Sequence, residues 1–218
     1  MAEQKITSIA LQERNKIRVN IYINDGYAFS LHRILAEDAG LKAGLILSDE
    51  DIARLQSRDT FIAAQNRAYR LLSYRPRSEA EIKTRLLRSG SAAGDVDAVV
   101  FNLKSLGLLD DEAFANYWKE HYGLRKLRGK AVVKAELRRK GIDREIVDKT
   151  VEDMDDYQIA YAAGAKKIRT LKYTDHRGFR QKLGTYLLGR GFSYESVNRA
   201  VRSLWEEIND DSEDTSIN

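Results

Sequence analysis

The chain has 218 residues and no cysteine. Disulfides, thiolate metal sites and cysteine nucleophiles are therefore excluded. Its three histidines (His32, His121 and His176) stand far apart in sequence, so a histidine-rich metal site is not expected. The single proline, Pro76, points to a largely helical body. No run approaches the roughly 18 consecutive apolar residues of a membrane span. The N-terminus shows no apolar signal segment, which makes the cytoplasm the expected location. Catalytic signatures are missing too. Gly189-Arg190-Gly191 follows no strand and precedes no Lys-Ser/Thr pair, so it is not a phosphate loop. Serine, histidine and aspartate share no nucleophile elbow. Neither an enzyme nor a cofactor is expected.

What the chain does have is charge, at 32% of residues, with a formal net value of +4. The distribution matters more than the total. Residues 1–60 hold 8 basic and 9 acidic side chains, and residues 206–218 hold 6 acidic and no basic ones. The middle, residues 61–205, holds 29 basic and 18 acidic side chains, a net +11. A basic body of this kind suits a polyanionic partner.

A pattern recurs three times in that body, aligned on Gly90, Gly141 and Gly191. Four positions before each glycine stands Leu86, Leu137 or Leu187. Eight before stands Ile82, Val133 or Leu183. After it come Val96, Val147 or Val197, then Val100, Val151 or Val201, then Leu103, Met154 or Leu204. The spacing predicts a three-helix module copied in tandem. Such arrays present a surface rather than one catalytic pocket.

Before the repeats, Ile17, Val19, Ile21 and Ile23 alternate with polar residues. Asn24-Asp25-Gly26 supplies a turn, and Tyr27, Phe29 and Leu31 resume the alternation, which predicts a hairpin. Residues 6–11 are expected to add a third strand, and residues 33–40 a short helix. Ser48 with Asp49, Glu50 and Asp51 opens a helix expected to run to Tyr74, with Ile52, Leu55, Phe61, Ile62, Ala68, Tyr69 and Leu72 buried. Ser78-Glu79-Ala80-Glu81 has the form of a capping box. Asp110-Asp111-Glu112 is read as helix capping rather than a metal site. The aromatics Phe101, Phe114, Tyr117, Trp118, Tyr122, Tyr157, Tyr161, Tyr186, Phe192 and Trp205 are expected in the core.

The expected organisation is a strand-rich unit over residues 1–48, then a linking helix with the first repeat over 49–109. The second repeat covers 110–154 and the third 155–208, followed by an acidic disordered tail over 209–218.

The candidate binding residues follow from charge. Arg125, Lys126, Arg128, Lys130, Lys134, Arg138, Arg139 and Lys140 face one acid, Glu136. On a helix from Gly129, Lys130, Lys134 and Arg138 form a stripe beside the apolar face. Such a stripe can follow phosphates. A second group is Lys166, Lys167, Arg169, Lys172, Arg177, Arg180 and Lys182. Arg75, Arg77, Lys83, Arg85 and Arg88 form a weaker group in the first repeat. No base-reading motif is present, so any DNA contact is expected to be independent of sequence.

These residues resemble a known family. Residues 107–115 (GLLDDEAFA) resemble the start of the second repeat of RecX, the bacterial regulator of the RecA recombinase. Arg128-Gly129 and residues 136–142 (ELRRKGI) resemble that repeat's middle helix and exit. Residues 68–72 with 77–82 resemble the first repeat, and residues 187–194 (LLGRGFSY) the third. The resemblance implies a mainly α fold of tandem three-helix repeats in an elongated, curved array, with a small N-terminal strand unit. It implies a monomer that binds the RecA–DNA filament. It further implies inhibition of RecA ATP hydrolysis and strand exchange, with effects on recombination, DNA repair and the SOS response. The charge pattern alone leaves open a stand-alone, sequence-independent DNA-binding protein.

Overall fold

The structure is a computed structural model that describes the backbone of residues 4–214 and the side chains of residues 4–209. It divides into two compact units, residues 1–75 with 82–108, and residues 76–81 with 109–218.

In the first unit, β1 (Gln4–Leu11), β2 (Arg18–Ile23), β3 (Gly26–His32) and β4 (Ile46–Leu47) form an antiparallel sheet in the order β3-β2-β1-β4. The expected hairpin pairs Ile23 with Gly26 and Val19 with Leu31. Its two-residue turn needs positive φ at both positions, and Asn24 and Asp25 supply 49° and 63°. Strand β4, only two residues long, carries no period and is not foreseen. Ile6, Val19, Ile21, Phe29 and Leu31 turn to one buried face. The helices α1 (Arg33–Asp38) and α2 (Asp49–Tyr74) share that core through Leu35 and Leu55.

Helix α2 has the expected bounds and a reciprocal capping box between Ser48 and Asp51. Its buried residues differ from the expected set. Leu55 and Ala68 are buried as expected, joined by Asp59 and Ala64, while Tyr69 is exposed and Ile52, Phe61, Ile62 and Leu72 are half-buried. Asp59 is buried because it is well paired. Its carboxylate accepts the His32 amide at 2.6 Å and the Arg18 guanidinium at 2.8 Å.

The first repeat continues with α3 (Glu79–Arg88) and α4 (Ala93–Ser105). Phe101 is a correction: it is 75% exposed, because Val96, Val99, Val100 and Leu103 define the buried side of α4 and residue 101 lies off it.

The second unit carries the other two repeats. One comprises α5 (Asp111–Trp118), α6 (Lys130–Arg139) and α7 (Arg144–Val151). The other comprises α8 (Asp156–Ile168), α9 (His176–Leu188) and α10 (Tyr194–Asp214). Every aliphatic position of the threefold pattern is buried, from Ile82, Val133 and Leu183 through to Leu103, Met154 and Leu204. Gly90, Gly141 and Gly191 close the middle helices at φ of 84°, 78° and 84°. The two repeats of this unit share one core, which includes Phe114, Leu137, Met154, Phe179, Leu187 and Phe192. Helix α10 runs past residue 208, since no glycine or proline interrupts that stretch, and residues 215–218 of the expected tail lie outside the described residues.

One docking pattern occurs twice inside the second unit. Ser78 Oγ donates to the Lys140 carbonyl at 2.6 Å, and the Glu79 amide donates to Asp111 Oδ1 at 2.9 Å. Fifty-one residues later in the threefold register, the Gly129 amide donates to the Arg190 carbonyl at 3.0 Å and the Lys130 amide to Asp156 Oδ1 at 2.8 Å. The free amides at the start of a middle helix are thus met by the first-turn aspartate of the following repeat.

Candidate nucleic-acid interface

The basic stretch of the second repeat begins in an irregular segment. After α5 the backbone continues as a π-helical turn, Lys119–Leu124. Such turns are rare and recur at functional positions. The loop that follows carries Leu127 at φ 51°, a left-handed conformation uncommon for a leucine. Arg190, on the third repeat, holds this loop. Its Nε donates to the Leu127 carbonyl at 2.9 Å and its Nη2 donates to the Lys126 carbonyl. The Arg128 amide donates to the Gly123 carbonyl at 2.9 Å. Arg125 and Lys126 are exposed, with Lys126 Nζ 5.3 Å from the Tyr122 ring centre. Arg128 is half-buried, and its Nε has no hydrogen-bond partner among the described residues.

The stripe on α6 lies beside the buried Val133 and Leu137, but its charges are partly spent on α7 and the turn after it. Lys130 Nζ donates to the Glu152 carbonyl at 3.1 Å. Asp148 gathers three cations: Lys134 at 2.6 Å, Arg144 at 3.6 Å and Arg138 at 3.9 Å. The Lys134 hydrogen bond, with those charges, holds the Asp148 carboxyl below the usual aspartate value. Arg139 pairs with Glu136 on its own helix at 2.6 Å. Lys140 is largely covered, pairing with Glu81 at 3.0 Å and sitting 4.2 Å from the Trp118 ring centre.

The second basic group spreads over α8, the following loop and α9. Lys166, Arg169, Lys172, Arg177, Arg180 and Lys182 are exposed. Lys182 Nζ donates to the Lys172 carbonyl at 2.8 Å. Arg177 and Arg180 line a groove of about 380 Å³ together with Gln181, Leu188, Tyr194 and Asn198. Lys167 belongs elsewhere: its Nζ lies 5.4 Å from the Tyr186 ring centre, and the Arg190 guanidinium lies 5.2 Å from the same ring. One member of the second group, Lys167, therefore shares the Tyr186 ring with Arg190, the residue that holds the Arg125–Arg128 loop.

Among the described residues, Arg125, Lys126, Arg128, Lys166, Lys167, Arg169, Lys172, Arg177, Arg180 and Lys182 make no ion pair, whereas Lys134, Arg138, Arg139 and Lys140 do. Charge density along the sequence does not make this distinction. It also passes over Arg190, which stands outside both basic groups. Arg199 is another addition, with its guanidinium 3.9 Å from the Tyr157 ring centre.

Another charged groove, of about 380 Å³ between α5 and α7, is internally paired. Lys119 Nζ meets both Asp153 oxygens at 3.0 Å, and this hydrogen bond lowers the Asp153 pKa. Lys149 meets Glu112 at 3.7 Å. Asp110, Asp111 and Glu112 diverge: Asp110 caps α5 through the Ala113 amide at 3.0 Å, while Asp111 meets Glu79. No group of three His, Cys, Asp or Glu residues is placed to hold a metal ion among the described residues. No described helix is long and apolar enough to cross a membrane.

Comparison with known proteins accounts for all four parts of the chain. Residues 4–48 match the regulatory protein RecX N-terminal domain. Residues 64–101, 110–151 and 154–201 match the first, second and third three-helix domains of RecX. Regulatory protein RecX of Clostridium perfringens (strain SM101) is 31% identical over 206 residues, covering 92% of this chain and 96% of the relative. The protein of the same name from Listeria monocytogenes (strain EGD-e) is 28% identical over 207 residues, covering 94% and 77%. A crystal structure of regulatory protein RecX superposes with a TM-score of 0.66 at 26% identity, over 92% of this chain and 99% of the other. RecX from Lactobacillus salivarius, at 22% identity over 67% of this chain and 97% of its own, shares the fold with a TM-score of 0.59. A match to each of the four domains, in order, together with a relative at 31% identity, establishes that the chain belongs to the RecX family of regulatory proteins.

Proposed function

We propose that this chain binds the RecA–DNA filament and modulates RecA, chiefly by inhibiting its ATPase and strand exchange, and so acts on recombination, repair and the SOS response. The reading places it in the cytoplasm as a monomer that performs no chemistry of its own. The observation that carries it is the set of unpaired cations on the second and third repeats, among them the exposed Arg125 and Lys126 on the loop that Arg190 holds, on a chain of the RecX family. Unpaired cations suit a phosphate-bearing polymer, because bound phosphates release counterions. The strand unit over residues 1–48, the three repeats beginning at 49, 110 and 155, and the acidic segment from 209 are then parts of one binder.

The test is RecA's DNA-dependent ATPase and strand exchange with this protein added at stoichiometric ratios. Reduced rates are expected, and unchanged rates refute the reading. The exposed Arg125 and Lys126 also support a second reading, a DNA-binding protein that acts without RecA. Gel shifts with and without RecA separate the two. Tight binding to bare DNA with no RecA effect favours the second.

A further inference from the structure

The Arg125–Gly129 loop is built to stay in one conformation. No acid occurs between residues 121 and 135, so nothing within the segment neutralises it. The left-handed Leu127 is held on both sides by hydrogen bonds. The Leu127 amide reaches the Leu124 carbonyl at 3.2 Å, and the Arg128 amide reaches the Gly123 carbonyl at 2.9 Å. The Gly129 amide reaches the Arg190 carbonyl at 3.0 Å. The Lys126 and Leu127 carbonyls both accept from one guanidinium, that of Arg190. A left-handed leucine persists only where its surroundings over-determine it, and such positions cluster at functional sites. The arginine does two things. Its planar fork fixes two consecutive carbonyls in one geometry, which a lysine ammonium cannot reproduce. It also covers the negative ends of those peptide groups with positive charge.

We infer that Arg190 is the positioning residue of a phosphate-binding tip: it fixes the Lys126–Leu127 turn so that Arg125 and Lys126 meet the phosphodiester backbone of DNA as a pre-arranged pair. The inference rests on the reading of the protein as a binder of DNA-containing filaments. Lys167 shares the Tyr186 ring with Arg190, at 5.4 and 5.2 Å from its centre. Pre-arrangement matters because ordering long side chains and a loop at the moment of binding costs affinity. The tip reads no base, in keeping with contacts that position rather than specify.

The experiment is salt-dependent binding of the full chain to fluorescent duplex DNA, bare and coated with RecA, for the wild type, R190K and R125Q/K126Q. Each lost phosphate contact lowers the slope of log K against log salt by about 0.9 on duplex DNA. R125Q/K126Q changes two exposed side chains, and its slope is expected to fall by about 1.8. R190K keeps the charge and loses the fork. Its slope is expected to fall by a similar amount, and combining it with R125Q/K126Q to lower the slope no further. Thermal melts establish that each variant is folded. A wild-type slope in R125Q/K126Q overturns the proposal, as does a wild-type slope in folded R190K or full additivity of the two. Binding to filaments but to no bare DNA at low salt overturns the phosphate assignment and leaves the filament reading intact. A wild type that binds neither refutes both.

Discussion

The three glycines that end the middle helices share a backbone conformation but differ in surroundings, and this supports a controlled prediction. Gly90 and Gly191 both have φ of 84°. Replacing either with alanine forces a β-carbon into the left-handed region, at a cost of about 1–2 kcal/mol. At Gly90 nothing lies within 4 Å of that added carbon. At Gly191 it stands 2.9 Å from both Val132 Cβ and the Val132 amide nitrogen, and nearer still to Val132 Cγ2. Normal contact is about 3.5–4.0 Å. The amide nitrogen is main chain of α6 and cannot swing aside. Overpacking of this kind adds about 1–3 kcal/mol. Gly90→Ala is therefore expected to cost about 1–2 kcal/mol and Gly191→Ala about 2–5 kcal/mol. Urea unfolding measures both. With a slope of about 2 kcal/mol per molar urea, the extra 2 kcal/mol moves the midpoint by roughly 1 M. Both tryptophans, Trp118 and Trp205, lie in the second unit, so their emission reports Gly191→Ala while circular dichroism reports Gly90→Ala. Equal costs at the two positions would refute the claim that repeats in the second unit dock backbone to backbone at Gly191.

Asp156→Ala removes the acceptor for the Lys130 amide at 2.8 Å and should cost about 0.5–2 kcal/mol, as loss of a cap does, read by tryptophan emission in urea. Lys140→Met breaks the pair with Glu81 and the contact with Trp118. It is expected to cost about 1–3 kcal/mol of stability while leaving the DNA salt slope unchanged, so a reduced slope with normal stability would contradict the placement of Lys140. Asp148→Asn frees Lys134, Arg138 and Arg144, so DNA binding should tighten and its salt slope steepen. Because the folded-state pKa of Asp148 is depressed, its stabilising effect is present above the ordinary aspartate pKa and is lost as pH falls through the lower folded value. The gap in melting temperature between wild type and Asp148→Asn should accordingly be open at neutral pH and close in acid. A gap that widens in acid contradicts the pairing.

What the sequence revealed and what it hid divide by the range of the interaction. The hairpin was legible because Val19, Ile21, Phe29 and Leu31 alternate and Asn24-Asp25 tolerates positive φ, both local properties. The repeat was legible because aliphatic residues at fixed distances from three glycines must pack on one another. Asp59 was not, because its partners Arg18 and His32 are distant in sequence and no periodicity announces a buried carboxylate. The first-turn acid Asp111 is read from sequence as a partner of its own helix end, and Asp156 carries no signal at all. Their carboxylates instead meet amides 32 and 26 residues earlier. The basic site was legible as a stretch but not as a surface. Lys134 and Arg138 look as free as Lys126 in sequence, and only the position of Asp148 on α7 tells them apart.

The third repeat begins its middle helix differently from the first two. In the threefold register, Ser78 and Gly129 stand where a middle helix starts, and each meets the next repeat through the carbonyl just before that repeat's glycine. The equivalent position in the third repeat is Phe179, and the helix has already begun. Helix α9 has 13 residues where α3 and α6 have 10, and the added turn is capped by Asp175, whose carboxylate accepts the Gly178 amide at 2.6 Å. Phe179 is fully buried, with Tyr173 and Trp205 at 5.0 and 5.1 Å between ring centres. The position that docks in the first two repeats is thus filled in the third by a buried aromatic side chain, and the Gly178 amide is capped by Asp175 of the same repeat. The extra turn, the aspartate cap and the aromatic cluster together satisfy the start of the third middle helix from within its own repeat, while Arg125 and Lys126 on the loop beside Arg190 stay exposed.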